Sequence, residues 1–178
     1  MKITAHAMSV ETFAPMLKSL VAILDRGTEH VRATKSDADA LVDARLAPDM
    51  YSLARQVENA CYMAEEGVAR LTGKEPAPRQ DPGTSMNSLK ARIEGTMSLL
   101  NAMPPSEFEG ADEREISIPL PNGGAIVMNG MQLLRDWSLP HFYFHLVTAY
   151  DILRHEGVQI GKMDYLSRVG EYVRPPKA

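Results

Sequence analysis

Between residues 50 and 71, Met50, Leu53, Val57, Ala60 or Cys61, Ala64, Val68 and Leu71 recur in alternating steps of three and four. That is the period of a helix with one apolar face, and such a face has to be covered. The same spacing runs through Val10, Phe13, Met16, Leu17, Leu20, Ile23 and Leu24, then Leu89, Ile93, Met97 and Leu100, and finally Leu139, Phe142, Leu146, Ala149 and Leu153. Four stripes of this length can cover one another, so the predicted fold is all-α, an antiparallel four-helix bundle. With 178 residues the chain is predicted to form a single domain, 1–178, whose core needs no disulfide.

The first helix is predicted over residues 9–31, with Ser9 as its N-cap and Pro15 early enough to be tolerated. Residues 34–43, with Asp37, Asp39 and Asp43, read as a polar surface link. Pro48 and Asp49 are predicted to open the second helix, because proline is pre-shaped for a first turn and a carboxylate there meets the positive end of the macrodipole. Gly73 ends that helix. Pro76, Pro78, Pro82 and Gly83 break the chain, and Thr84 or Ser85 caps a third helix that runs to Pro104 and Pro105. The period then changes from about 3.6 to two. Glu115 to Leu120 alternates, and Asn122-Gly123 leads into Ala125 to Met128, which predicts a β-hairpin between the third and fourth long helices. Pro119 keeps its first strand at an edge. A short helical segment, 131–137, precedes the last helix, 139–155, which Gly157 stops, and residues 163–169 add a turn or two.

Nineteen Lys and Arg against 23 Asp and Glu give a net charge of −4, so nothing favours a polyanion, and nucleic acid is not an expected partner. The longest aliphatic run, residues 20–24, is short for a membrane span and the amino terminus has no long apolar core, so no membrane is expected either and the predicted location is cytoplasmic. Cys61 lies on the core stripe of the second helix, where a buried thiol is inert. Gly123, Gly124 and Gly130 are turn residues without the lysine of a phosphate loop, and Asp112, Glu113 and Glu115 lack calcium-loop spacing. The eleven methionines suit either an adaptable pocket or gaps in a helical core, and the core is the preferred reading. Arg45 and Arg154 are candidates to pair with carboxylates near the bundle end.

The last helix is more apolar than a single buried face requires. Tyr143, Phe144, Val147 and Tyr150 spread around it, and either the hairpin or a second copy of the chain in a homodimer would cover them. His141 and His145 stand four apart, so their rings leave the same side of the helix, the relation in which two imidazoles chelate one metal ion. A site needs at least one further ligand and groups that orient the rings. The second and third helices carry no histidine, and Gln56 at the edge of the second helix's stripe is the facing polar group, although an amide oxygen suits the metals that imidazole prefers poorly. The alternative is that both histidines are flank residues bonded to bundle partners or water.

Arg45-Leu46-Ala47-Pro48-Asp49-Met50 before the second helix, Pro140-His141-Phe142-Tyr143-Phe144-His145 opening the fourth, and Arg154-His155-Glu156-Gly157 with Gly161-Lys162-Met163-Asp164-Tyr165 at the end together resemble one branch of the DinB/YfiT-like superfamily, a family of unknown function. The resemblance covers nearly the whole chain. It implies a DinB-type four-helix bundle that often dimerises, in a superfamily whose better-known members include metal-dependent thiol transferases. There a divalent metal, zinc or nickel, is held by a histidine of the second helix and a pair four apart in the last. His141 and His145 match the pair. The third ligand is missing or replaced by Gln56, so the resemblance implies a divergent metal-binding protein acting on a small thiol or electrophile. The alternative is a non-enzymatic helical module that dimerises or binds an apolar small-molecule ligand.

Overall fold

The computed structural model describes residues 3–35, 37 and 40–174. Four long helices carry the fold: α1 (Ala5–Thr34), α2 (Leu53–Leu71), α3 (Met86–Asn101) and α4 (Leu139–His155). Helix α2 packs between α3 and α4, and α3 closes against α1. A two-stranded antiparallel hairpin, β1 (Glu115–Pro119) and β2 (Ala125–Asn129), sits between α3 and α4, pairing Glu115 with Asn129 and Pro119 with Ala125. The predicted bundle and hairpin are therefore both present. The interior is filled by the predicted stripes, among them Phe13, Leu17, Leu20, Ile23, Leu53, Val57, Leu71, Leu89, Ile93, Phe142 and Leu146.

Several boundaries differ from the sequence expectation. Helix α1 starts at Thr4, whose side chain accepts the Ala7 N–H, whereas Ser9 lies inside the helix and donates to the Ala5 carbonyl at 2.6 Å. Pro15 also falls within α1. Its missing N–H leaves the Glu11 carbonyl without its usual helical donor, and Arg168 fills the place at 2.7 Å. Helix α2 starts after Ser52. Pro48 and Asp49 form a tight turn closed by the Met50 N–H on the Ala47 carbonyl at 3.0 Å, so Asp49 caps nothing. Arg45 donates to the Met50 carbonyl at 2.6 Å and thereby braces this turn instead of pairing with a carboxylate. The link before it is not wholly polar: Ala40–Asp43 is one helical turn that buries Leu41 and Val42, while Asp39 lies outside the described residues.

Ser85 caps α3 through a reciprocal pair of bonds with Ser88, and Gly73 follows α2 with a φ of 71°, its N–H on the Arg70 carbonyl. Only glycine takes that conformation without strain. By length and apolar composition α1 would suffice to cross a membrane, yet Phe13, Leu17, Leu20, Ile23 and Leu24 on it are fully buried against the other helices. The short turns Lys162–Tyr165 and Ser167–Tyr172 fold back over α1 and α4 and bring Tyr165 to Tyr150. This segment covers Tyr143 and Tyr150, but Phe144 stays 58% exposed and Val147 38%.

Candidate functional site

Helices α2 and α4 run antiparallel, with Gln56 opposite His145 and Glu66 opposite Trp137. Gly67 permits the close approach, because a β-carbon there would stand 2.8 Å from Ser138 Oγ. Ser138 ends a π-helical stretch, Leu133–Ser138, that runs directly into α4. The wider turn fits Pro140, whose ring and missing N–H disturb ordinary helical bonding at that point, and His141 and His145 then follow one turn apart along the face toward α2.

His145 Nδ1 lies 2.8 Å from Gln56 Oε1. The Gln56 amide nitrogen donates to the Tyr51 carbonyl at 3.3 Å, which turns the oxygen toward the histidine. An amide oxygen only accepts, so Nδ1 of His145 carries the proton and donates, leaving the lone pair on Nε2. Burial, then His141, then the Arg79 guanidinium lower the His145 pKa from 6.5 to about 4, so the ring is neutral at pH 7. His141 packs edge-on against Trp137 with ring centroids 4.4 Å apart, and its Nδ1 is buried with no hydrogen-bond partner among the described residues. Arg79, from the proline-rich connection between α2 and α3, lies over the Tyr62 ring at 4.1 Å and donates to Asn59 Oδ1.

From residue 5 to residue 166 the sequence matches a domain of unknown function, DUF1993. The chain belongs to the DUF1993 family. It is also similar to the crystal structure of a DinB family member protein from Shewanella denitrificans, with 38% identity over 97% of this chain and 94% of that one and a TM-score of 0.84. No curated protein matches. This DUF1993 chain is a DinB-like protein, as the resemblance in its motifs implied.

Whether a divalent metal suits the three donors of the DUF1993 chain is a question of chemistry. Among the described residues no three His, Cys, Asp or Glu side chains converge. Gln56 supplies a neutral amide oxygen that already serves the His145 Nδ1–H. Metal-binding imidazoles usually donate their second N–H to a carboxylate or carbonyl, and His141 Nδ1 has no such partner. The cation of Arg79 also acts on His145, and it opposes a second cation. The residues present do not fit the three-histidine centre that the resemblance implies. Gln56 and His145 are brought together as the spacing suggested, but as acceptor and donor.

Sequence reasoning missed a second polar cluster between α2 and α3. Arg92 Nε donates to Glu58 at 2.7 Å, its two terminal nitrogens reach Glu65 at 2.5 and 2.9 Å, and Thr96 donates to Glu65 at 2.7 Å. Glu58 also accepts the Gln80 N–H at 3.2 Å, which ties the proline-rich connection to the cluster. The signal was in α2, where Glu58 and Glu65 are seven apart on the side of Cys61 and interrupt an apolar stripe. Cys61 itself is fully buried and its thiol pKa is pushed up to about 12 by that burial, so it stays protonated and unreactive. Glu66, buried too, is held by Arg70 at 3.0 Å and by the Trp137 N–H at 3.4 Å.

Proposed function

We propose that this chain is a DinB-like binding module that works without the superfamily's metal. The observation that carries this reading is the His145–Gln56 hydrogen bond, which uses the position where the resemblance implies a third histidine to hold an imidazole instead of a metal ion. A neutral ring of fixed tautomer donates at Nδ1 and accepts at Nε2, and the positive charge of Arg79 beside it opposes a cation there. A second copy of the chain on the exposed Phe144 and Val147 face belongs to the same reading, and the mass in solution by light scattering reads it.

The test is metal content after purification without an affinity tag, followed by titration with zinc and nickel. Wild type is expected to hold neither stoichiometrically. Gln56→His, which supplies a third imidazole to His141 and His145, is expected to take up one equivalent. Stoichiometric metal on wild type that Gln56→Ala abolishes would overturn the reading.

A further inference from the structure

After Ile160 the burial of the chain changes abruptly. Val158 and Ile160 are buried and anchor the segment that follows α4 in the core, whereas no residue of the turns Lys162–Tyr165 and Ser167–Tyr172 is buried. Backbone bonds of these turns stay local, with the Leu166 N–H on the Lys162 carbonyl and the Val169 N–H on the Leu166 carbonyl, both at 2.9 Å. Among the described residues two side-chain hydrogen bonds join the turns to the rest of the molecule, and both land on α1 around Pro15. Ser167 Oγ lies 2.7 Å from Ser19 Oγ. The single proton of Ser19 goes to the Pro15 carbonyl at 3.3 Å, so Ser167 is the donor to Ser19. Arg168 donates to the Glu11 carbonyl at 2.7 Å.

Pro15 makes the Arg168 bond possible. Any other residue at that position would give α1 an N–H for the Glu11 carbonyl, and the helix would fill the acceptor from within. Glu11, Pro15 and Arg168 also border two cavities, of about 780 and 210 Å³, so the bond stands between them. The larger is apolar along Val10, Ala14, Met97 and Met103, the smaller along Met16 and Tyr143. We propose that residues 162–172 form a strap that lifts from α1 as a unit, with Arg168 on the Glu11 carbonyl as its latch and Pro15 as the residue that keeps the latch position open. Closed, the strap holds the two cavities apart. Open, it joins them into one groove along α1 and so controls what enters. Turns this short do not persist without packing, so lifting also frees their amides to exchange. Because the strap buries no side chain fully, opening it costs far less than unfolding the bundle. The device is independent of the histidine pair and of the metal-free reading.

Amide hydrogen exchange of the full chain, followed residue by residue by NMR in urea below the unfolding transition, tests it. The Leu166 and Val169 amides should be protected at least about a hundredfold less than the core amides of α2, and urea should hardly change their rates. Arg168→Met removes the latch and keeps the side chain's stem. It should quicken exchange at Leu166 and Val169 about tenfold and leave α2 as it was. Pro15→Ala separates a latch from ordinary packing, because its two effects have opposite signs. The restored helical bond should slow exchange in α2, while the displaced Arg168 quickens Leu166 and Val169 about tenfold. Strap amides that match those of α2 in protection and urea dependence, an Arg168→Met strap that exchanges as in wild type, or a Pro15→Ala strap that fails to quicken would each overturn the proposal.

Discussion

Replacing Arg92 by methionine removes the only cation in the cluster between α2 and α3 while keeping most of its volume. Glu58 is 1% exposed and Glu65 16%, so both carboxylates would be left facing each other with little water to screen them. Leaving a buried charge without its partner costs about 3–5 kcal/mol. For a chain of this size, each kcal/mol lowers Tm by about 2–4 °C, so Arg92→Met should melt roughly 6–20 °C below wild type. The triple variant Arg92→Met, Glu58→Gln, Glu65→Gln removes the charges as well, and Gln at 58 keeps an acceptor for the Gln80 N–H. It should regain most of the loss, because replacing all members of a buried ion cluster is often nearly neutral. Urea denaturation of the three proteins measures this. A single-variant loss under about 1 kcal/mol, or a triple variant no better than the single one, would refute the claim that these charges depend on one another in the interior.

Two further predictions concern pH and packing. The His145 pKa of about 4 lies below its ordinary 6.5, so the unfolded chain binds the extra proton first as pH falls. Stability should therefore be complete above pH 6.5 and decline between 6.5 and 4, by about 1–2 kcal/mol once solvent screening of this half-buried ring is allowed for. A pH series of urea melts on wild type and His145→Asn would show it, and identical slopes would refute it. Gly130→Ala would place a β-carbon 1.8 Å from the Ala111 carbonyl oxygen, a backbone atom that cannot swing away. It should cost about 1–3 kcal/mol, and an unchanged Tm would contradict the close approach.

The bundle was legible because each long helix carries its period in the sequence, and Val57, Ile93 and Phe142 are buried where the spacing put them. Caps were less legible. Ser9 has the chemistry of an N-cap but spends it on the Ala5 carbonyl, since α1 had already started four residues earlier at Ala5. Pro48 and Asp49 carry the signature of a helix start and also of a turn, and the Arg45 bond to the Met50 carbonyl decides for the turn. At the site, spacing paired Gln56 with the last helix correctly. It could not say that the Tyr51 carbonyl would orient the amide, because that contact belongs to the turn before α2. Arg79 and Arg92 were invisible for a related reason: their partners Asn59, Glu58 and Glu65 lie on another helix, and charge in sequence does not reveal its partner.

A metal-free site in this chain depends most directly on the protonation of one ring. Long-range proton–nitrogen correlation of His145, recorded at neutral pH with and without added zinc, distinguishes the Nδ1–H tautomer from the Nε2–H tautomer and from a metal-bound imidazole. A neutral ring protonated at Nδ1, unchanged by zinc and lost from that state in Gln56→Ala, is the predicted result. An Nε2–H ring, or one whose nitrogen shifts move on addition of one equivalent of zinc, would contradict it.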